Sequence, residues 1–324
     1  MSHEFRESIG VSQLGPDKFI SKYYPERTGN TADIAFGGFA LGLSVNAGVQ
    51  SVPPQFFCYS AQGLYLGPTL TTEKVSLQVH KVRDTKTFKT VRVEALQTQK
   101  GVQRITFCIT LDFQLKEAPV LKYNLDPRIK PTPVAELEDY SDYVQGRVKK
   151  GLVSEQLAQI YTTQFGMLKR FFEMRHCLES VSGQNLLGLD KNCKTTQDGL
   201  TITEKSSALW FRSKTPISQA ESYAAVAFMT DAALAFLPLT FRNEFITEYG
   251  ALSSLDCSLR FHTSDFNCNN WLLHEQVTEA ADDGRTFSIG RVFREDGVLV
   301  ATMSQMSILR AKPARSSKSP PSKI

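Results

Sequence analysis

The sequence predicts an α+β protein made of two copies of one unit, each an apolar helix wrapped by a curled antiparallel sheet. Three observations carry this. Residues 223–310 open on YAAVAFMTDAALAFLP and continue through SSLDCSLRFH, NNWLLHEQV, RTFSIGRVF and GVLVATMSQMSIL. The last four are strand-like, rich in β-branched and aromatic residues and punctuated by Asp282-Asp283-Gly284 and Glu295-Asp296-Gly297. Residues 29–52 form a second small-residue, helix-like run, again followed by strand-like FFCYSAQGLYLGP, KVSLQVHKV, TFKTVRVEALQTQ and QRITFCITLDFQ. Finally, the two sets match each other. RDTKTFKTVRV around Phe88 resembles DDGRTFSIGRVF around Phe287, and Gly101 to Phe113 has the same twelve-residue spacing as Gly297 to Leu309.

Taken in order, the first unit occupies residues 1–115. Its helix starts at the Gly37-Gly38 pair, and its four glycines allow another backbone or a ligand to approach closely. Residues 116–155 are rich in proline and charge and read as a surface connection, with Glu136, Glu138, Asp139 and Asp142 as a solvated acidic face. The second unit spans 156–310. Residues 157–180 and 201–214 supply further strands or a short helix before its main helical run. Residues 311–324, AKPARSSKSPPSKI, have the low-complexity, basic, proline-rich composition of a disordered tail.

The formal net charge is +4, but five bases and no acid follow Asp296; without those five, 32 basic residues face 33 acidic ones. A near-neutral body argues against a nucleic-acid partner. No apolar run is expected to reach membrane-spanning length, and MSHEFRESIG lacks the apolar core of a signal peptide. Six scattered cysteines suggest free thiols in a reducing compartment. Cys257, His262, Cys268 and His274 alternate like zinc ligands. An odd separation on one strand points Cys257 and His262 to opposite faces, so no metal is expected. No other cofactor is indicated.

Two polar residues stand where a plain core has none. Asp231 is the one charge between Glu221 and Arg242, with no charged residue three or four positions away. A buried carboxylate costs several kcal/mol unless paired or hydrogen-bonded. Gln305 shares a strand face with Leu299, Ala301, Met303 and Leu309, and a buried amide also needs partners. Aligning the units sets Gln305 opposite Ile109 and Asp231 opposite Phe39, so the same architecture packs with hydrophobes at both places. A functional role for the pair follows.

The succession of FGG opening a helix, an RDxxTF strand, TD in an apolar helix, NNWLLHEQ at 269–276 and DGVLVATMSQ at 296–305 resembles the type II acyl-CoA thioesterases. The resemblance covers roughly 36–310 and implies a double hotdog whose two sheets join edge to edge. It also implies an acyl-CoA substrate and hydrolysis by a water held by Asp231, Ser254 and Gln305, without an acyl-enzyme. Strand parity alone would group Ser254 with Asp256, Ser258 and Arg260 on a polar face; the resemblance gives it a role. Amides at Gly37-Gly38 are expected to face the thioester oxygen. The first unit departs from the family: a strand that usually carries histidines and ends Phe-x-Arg-Pro-Gly reads CYSAQGLYLGPT. Tyr59 and Gln62 stand at the histidine positions and Gly67 at the arginine, and an RDG turn has become Arg83-Asp84-Thr85. No G-x-S-x-G elbow, Walker loop or dinucleotide fingerprint occurs. Two rivals stay open, a non-catalytic acyl-CoA-binding relative and a hotdog dehydratase or hydratase, which pairs a carboxylate with a histidine. Homo-oligomers are compatible with the family. The terminal Ser322-Lys323-Ile324 is similar to a peroxisomal address, so import by its receptor is expected, with a cytoplasmic enzyme as the alternative.

Overall fold

A computed structural model describes residues 3–30 and 32–312. The first half runs α1 (Phe5–Ser8), β1 (Val11–Gly15), β2 (Lys18–Ser21), α2 (Gly37–Gln50), β3 (Phe56–Tyr65), β4 (Ser76–Asp84), β5 (Phe88–Gln99) and β6 (Val102–Leu115). The connection carries α3 (Tyr140–Lys149) and leads to α4 (Glu155–Phe171). The second half follows with β7 (Phe172–His176), α5 (Val181–Gln184), β8 (Ser207–Ser213), α6 (Gln219–Thr230) and α7 (Leu237–Thr240). It closes with β9 (Tyr249–Ser254), β10 (Asp256–Phe261), β11 (Leu272–Asp282), β12 (Arg285–Arg294) and β13 (Leu299–Ala311).

All pairings between these strands are antiparallel and form one sheet ordered β1-β2-β4-β5-β6-β3-β10-β13-β12-β11-β8-β7, with β9 also on β13. The second half retraces the first in reverse order. The halves join where β3 pairs β10, with Ala61 opposite Leu259. This is the edge-to-edge double sheet expected from the sequence.

Alternation sets the core. On β6, Phe107, Ile109, Leu111 and Phe113 are buried, facing α2. Helix α2 is buried on every residue from Gly38 to Gly48, because it packs against its own sheet and against α6. Its glycines permit that approach. A Cβ on Gly38 would stand 2.8 Å from the Phe228 carbonyl oxygen, and one on Gly42 would stand 2.8 Å from Ile9 Cδ1 and 3.3 Å from the Ala224 carbonyl oxygen. Phe39 and Phe228 meet edge-to-face at 5.1 Å between the helices.

Four expectations are corrected. The second apolar run is not one helix: α6 ends with Asp231 as its C-cap, and Ala233 is left-handed at φ 72°. A single 3₁₀ turn (Leu234–Phe236) then leads into α7. Pro238, within the first turn of α7, has no N–H to continue the helix from α6. The stretch Gln219–Thr240 is nevertheless 22 residues long and apolar enough, at a mean hydropathy of 1.4, to cross a membrane. Here it is core, 83% buried in its most apolar window.

The segment 116–155 is more than surface chain. It includes α3, capped by Asp139, whose carboxylate accepts from the Ser141 amide at 2.9 Å. Val134 and Leu137 are buried with Trp210, Leu273 and Phe293 on the outer face of the second sheet. Backbone bonds tie this strap down: the Arg128 amide donates to Glu275 Oε1 at 2.5 Å, and Trp210 Nε1 donates to the Thr132 carbonyl at 3.2 Å. Glu136 and Glu138 are exposed, as expected. Residues 155–171 form a 17-residue helix with a buried stripe of Ala158, Tyr161 and Phe165, longer than the short element expected. The six cysteines are free thiols. Cys257 is buried and His262 exposed on opposite faces, and among the described residues no three potential metal ligands come together. The tail proposed as disordered lies outside the described residues from 313 onward.

Gly42→Val tests the helix contact. The added side chain must displace Ile9 and separate α2 from α6, so stability should fall by about 1–3 kcal/mol, the usual cost of overpacking. A urea denaturation midpoint equal to or above that of the parent protein would contradict this packing.

Candidate active site

The site is built around the carboxylate of Asp231, only 5% exposed. Its Oδ1 accepts from Gln305 Nε2 at 2.6 Å, Ser254 Oγ at 3.0 Å and Tyr65 Oη at 3.2 Å. On the other side the backbone amide of Gly38 hydrogen-bonds the carboxylate. A Cβ on Gly37 would lie 2.7 Å from Oδ2, so only glycine allows this approach.

Each element contributes for a local reason. Asp231 caps the C-terminus of α6, where the helix dipole disfavours an anion. The N-terminus of α2 faces it and supplies the opposite partial charge. Gln305 lies fully buried on the inner face of β13. Its Oε1 accepts from Ser307 Oγ at 3.3 Å, which fixes the amide so that Nε2 points at Asp231. Ser254 ends β9. The chain kinks at Leu255, whose amide donates to Met306 and whose carbonyl accepts from Tyr65. The kink resets strand parity: Ser254 turns inward, whereas on β10 the buried residues are Cys257, Leu259 and Phe261. The polar face grouped from sequence parity therefore does not exist as a unit.

Burial pushes the Asp231 pKa above the usual aspartate value, and the bonds from Gln305, Ser254, Tyr65 and Gly38 oppose that rise. The result is a desolvated carboxylate held by four donors, a suitable proton acceptor. Burial, together with the Asp231 charge, raises the Tyr65 phenol well above its ordinary value, so it stays a donor.

All five residues singled out in the sequence, Asp231, Ser254, Gln305, Gly37 and Gly38, meet here. One detail differs, since the Gly38 amide holds the carboxylate itself. Tyr65 escaped notice. It sits on β3 of the first half and reaches Asp231 because β3 pairs β10, a long-range fact that no local pattern encodes. The available signal was its place in the departing strand, where Tyr65 stands at the phenylalanine of Phe-x-Arg-Pro-Gly.

The ladder registers expose a contrast between halves. Gln305, Ser288 and Thr278 lie side by side across β13, β12 and β11, as Ile109, Val93 and Val79 do across β6, β5 and β4. One step along, Ser254, Ser307 and Thr286 correspond to Ala61, Leu111 and Val91. Every polar residue of the second floor has an apolar counterpart in the first. Counted from the first residue of each helix, Asp231 matches Val49 rather than Phe39; the sequence alignment slipped because neither helix carries a strong internal landmark.

A family model described as the acyl-CoA thioesterase N-terminal domain matches residues 24–114, and one described as its C-terminal domain matches 181–309. This chain belongs to the type II acyl-CoA thioesterase family. The thioesterase is a hydrolase of acyl-CoA thioesters. It is 24% identical to acyl-CoA thioesterase 2 of Haemophilus influenzae over 279 residues, covering 85% of this chain and 87% of the relative. It is also 24% identical to acyl-coenzyme A thioesterase 8 of Mus musculus over 310 residues, covering 94% and 88%. Its fold is similar to the acyl-CoA thioesterase II TesB2 from Mycobacterium marinum, with a TM-score of 0.65 at 21% identity over 95% and 98% of the two chains. A hot dog fold protein from Alicyclobacillus acidocaldarius superimposes with a TM-score of 0.66 at 15% identity, covering 97% and 100%.

Tyr65→Phe removes one donor that lowers the Asp231 pKa. If Asp231 is the base, the acid limb of kcat/KM should therefore move to higher pH than in the parent enzyme. A limb that stays in place or moves to lower pH would show that the Tyr65 hydroxyl does not act on Asp231.

Proposed function

We propose that the thioesterase hydrolyses fatty or related acyl-CoA by a water bound at Asp231, Ser254 and Gln305, with Asp231 as general base. The observation supporting this reading is the convergence of Gln305, Ser254 and Tyr65 on one oxygen of a buried carboxylate whose pKa burial raises. The water donates a proton to Asp231 as its oxygen adds to the thioester carbonyl carbon. The carbonyl oxygen takes up negative charge in the tetrahedral intermediate. On collapse the C–S bond breaks, the free acid forms, and the proton on Asp231 passes to the departing CoA thiolate. Ser254 and Gln305 fix the water's position and so supply orientation rather than proton transfer.

Among the rivals, a dehydratase pairs its carboxylate with a histidine. The partners of Asp231 are Gln305, Ser254, Tyr65 and Gly38. The buried histidines lie elsewhere: His176 bonds Tyr161, and His274 lies against Gly290.

Asp231→Asn keeps the shape and the Oδ1 acceptor but removes the base. Turnover of a panel of acyl-CoAs, followed by thiol release, should fall by at least about a hundredfold with an unchanged circular dichroism spectrum. Gln305→Ala should cost less, because it positions the water without taking its proton. Near-parental turnover by folded Asp231→Asn would remove Asp231 from the chemistry.

A second proposal concerns place. Ser322-Lys323-Ile324 lies outside the described residues, and its likeness to a peroxisomal address supports import into that organelle. A fluorescent reporter carrying residues 311–324 should become punctate and co-localise with a peroxisomal marker, and should lose that pattern without the tripeptide. Diffuse fluorescence from the intact tail would reject the proposal and favour a cytoplasmic enzyme.

A further inference from the structure

The turn that follows Asp231 is held to the sheet by a buried side-chain amide. Gln276, on β11 and 3% exposed, donates from Nε2 to the backbone carbonyl of Ala232, the residue directly after Asp231. The Ala232 amide donates to the Met229 carbonyl at 3.1 Å, and the Phe236 amide to the Ala233 carbonyl at 3.1 Å. Between these bonds Ala233 is left-handed at φ 72°. Alanine enters that region reluctantly, because its Cβ approaches the following carbonyl oxygen. Two alanines in succession favour continuation of the helix instead.

The first half shows what the fold does without this anchor. The ladder registers set Gln276, Gly290 and Met303 side by side, as Leu77, Ala95 and Phe107 are set in the first half. Leu77 is buried and apolar, so the sheet does not need an amide at this place. Helix α2 also ends differently. Val49, the counterpart of Asp231, lies within the helix, Gln50 follows it, and Ser51 caps it in the right-handed region. The amide and the left-handed turn thus occur together in the half that carries the carboxylate, and the corresponding places in the other half have neither.

Helix ends fray, and their last carbonyls have no partner within the helix. Asp231 stands at such an end, yet its Oδ1 must meet Gln305 on β13 and Ser254 on β9. Gln276 ties the peptide after Asp231 to β11, in the same sheet as those two partners. The 3₁₀ turn Leu234–Phe236 then packs on β12 and β13. The carboxylate is held from both sides, by α6 before it and by the anchored turn after it.

We propose that Gln276 is a positioning residue for the hydrolysis: by holding the Ala232 carbonyl it ends α6 at Asp231 and keeps the carboxylate within reach of Ser254 and Gln305. This rests on the catalytic reading of Asp231 given above. The effect runs through Asp231 and not through contact with substrate, so it belongs to kcat rather than KM. A misplacement of about 1 Å in a reacting group costs up to about a hundredfold in rate.

The test uses the full-length enzyme and the acyl-CoA of the panel that it turns over fastest. Gln276→Leu installs the apolar type found at Leu77; kcat should fall by about tenfold or more while KM stays within about twofold. Adding Ala233→Gly should recover at least about threefold of that loss, because glycine adopts the left-handed turn without an anchor. In the parental background the same glycine should change kcat by less than about twofold. Parental kcat in folded Gln276→Leu, or a rise in KM with kcat unchanged, would overturn the proposal. So would a loss that Ala233→Gly does not relieve, or an equal gain from that glycine in both backgrounds. Gln276→Met, closer in shape, decides the matter where the leucine variant does not fold. Unfolding of both would make the amide a requirement of the fold and would likewise overturn the positioning role. An inactive Asp231→Asn beside a fully active Gln276→Leu removes this role alone, whereas near-parental turnover by Asp231→Asn removes the catalytic reading itself.

Discussion

The structure depends on a carboxylate placed where the end of α6 meets the start of α2, two helices packed side by side. Asp231 terminates α6 against its own unfavourable dipole, and the first turn of α2 offsets this through the Gly38 amide and the close approach that Gly37 permits. The helices must therefore pack closely, which demands small residues at their contact. The two sheets must also be one sheet, so that β3 can bring Tyr65 to the same oxygen as Ser254 and Gln305. The second half holds the carboxylate, and the first half supplies part of its environment. Neither contains a complete site.

Duplication explains how such a site can exist at a tolerable cost. One copy keeps an apolar interior on α2 and β4–β6, where Val79, Val93, Ile109 and Leu111 are buried. The other replaces equivalent positions with Thr278, Ser288, Gln305 and Ser307, all buried and mostly bonded to one another. A buried polar network weakens a core unless its members are satisfied. Here the apolar copy shares its sheet and helix contact with the polar one, which allows stability and chemistry to be divided between them.

Much of this was legible in the sequence because the signals were local or periodic. Strand alternation, the Asp-Asp-Gly and Glu-Asp-Gly turns and the twelve-residue glycine spacing define the repeat, and a polar residue breaking an apolar period marks Asp231 and Gln305. The resemblance added Ser254, which parity had placed on a false polar face because the kink at Leu255 depends on bonds to Met306 and Tyr65. The end of α6 at Asp231 was hidden because an alanine-rich run continues on both sides, and only the left-handed Ala233 and the following Pro238 break it. Tyr65 and the buried strap of Val134 and Leu137 arise from pairings between distant segments. No window of sequence contains those pairings.

The central claim is that water attacks the thioester directly while Asp231 only carries a proton. A single turnover of the full-length enzyme in ¹⁸O-water tests it, with mass spectrometry of the released acid and of the peptide containing Asp231. Direct attack places one ¹⁸O in the free acid and none in Asp231. Label in the Asp231 carboxylate, with unlabelled oxygen in the product, would show a mixed anhydride with the enzyme and contradict the account.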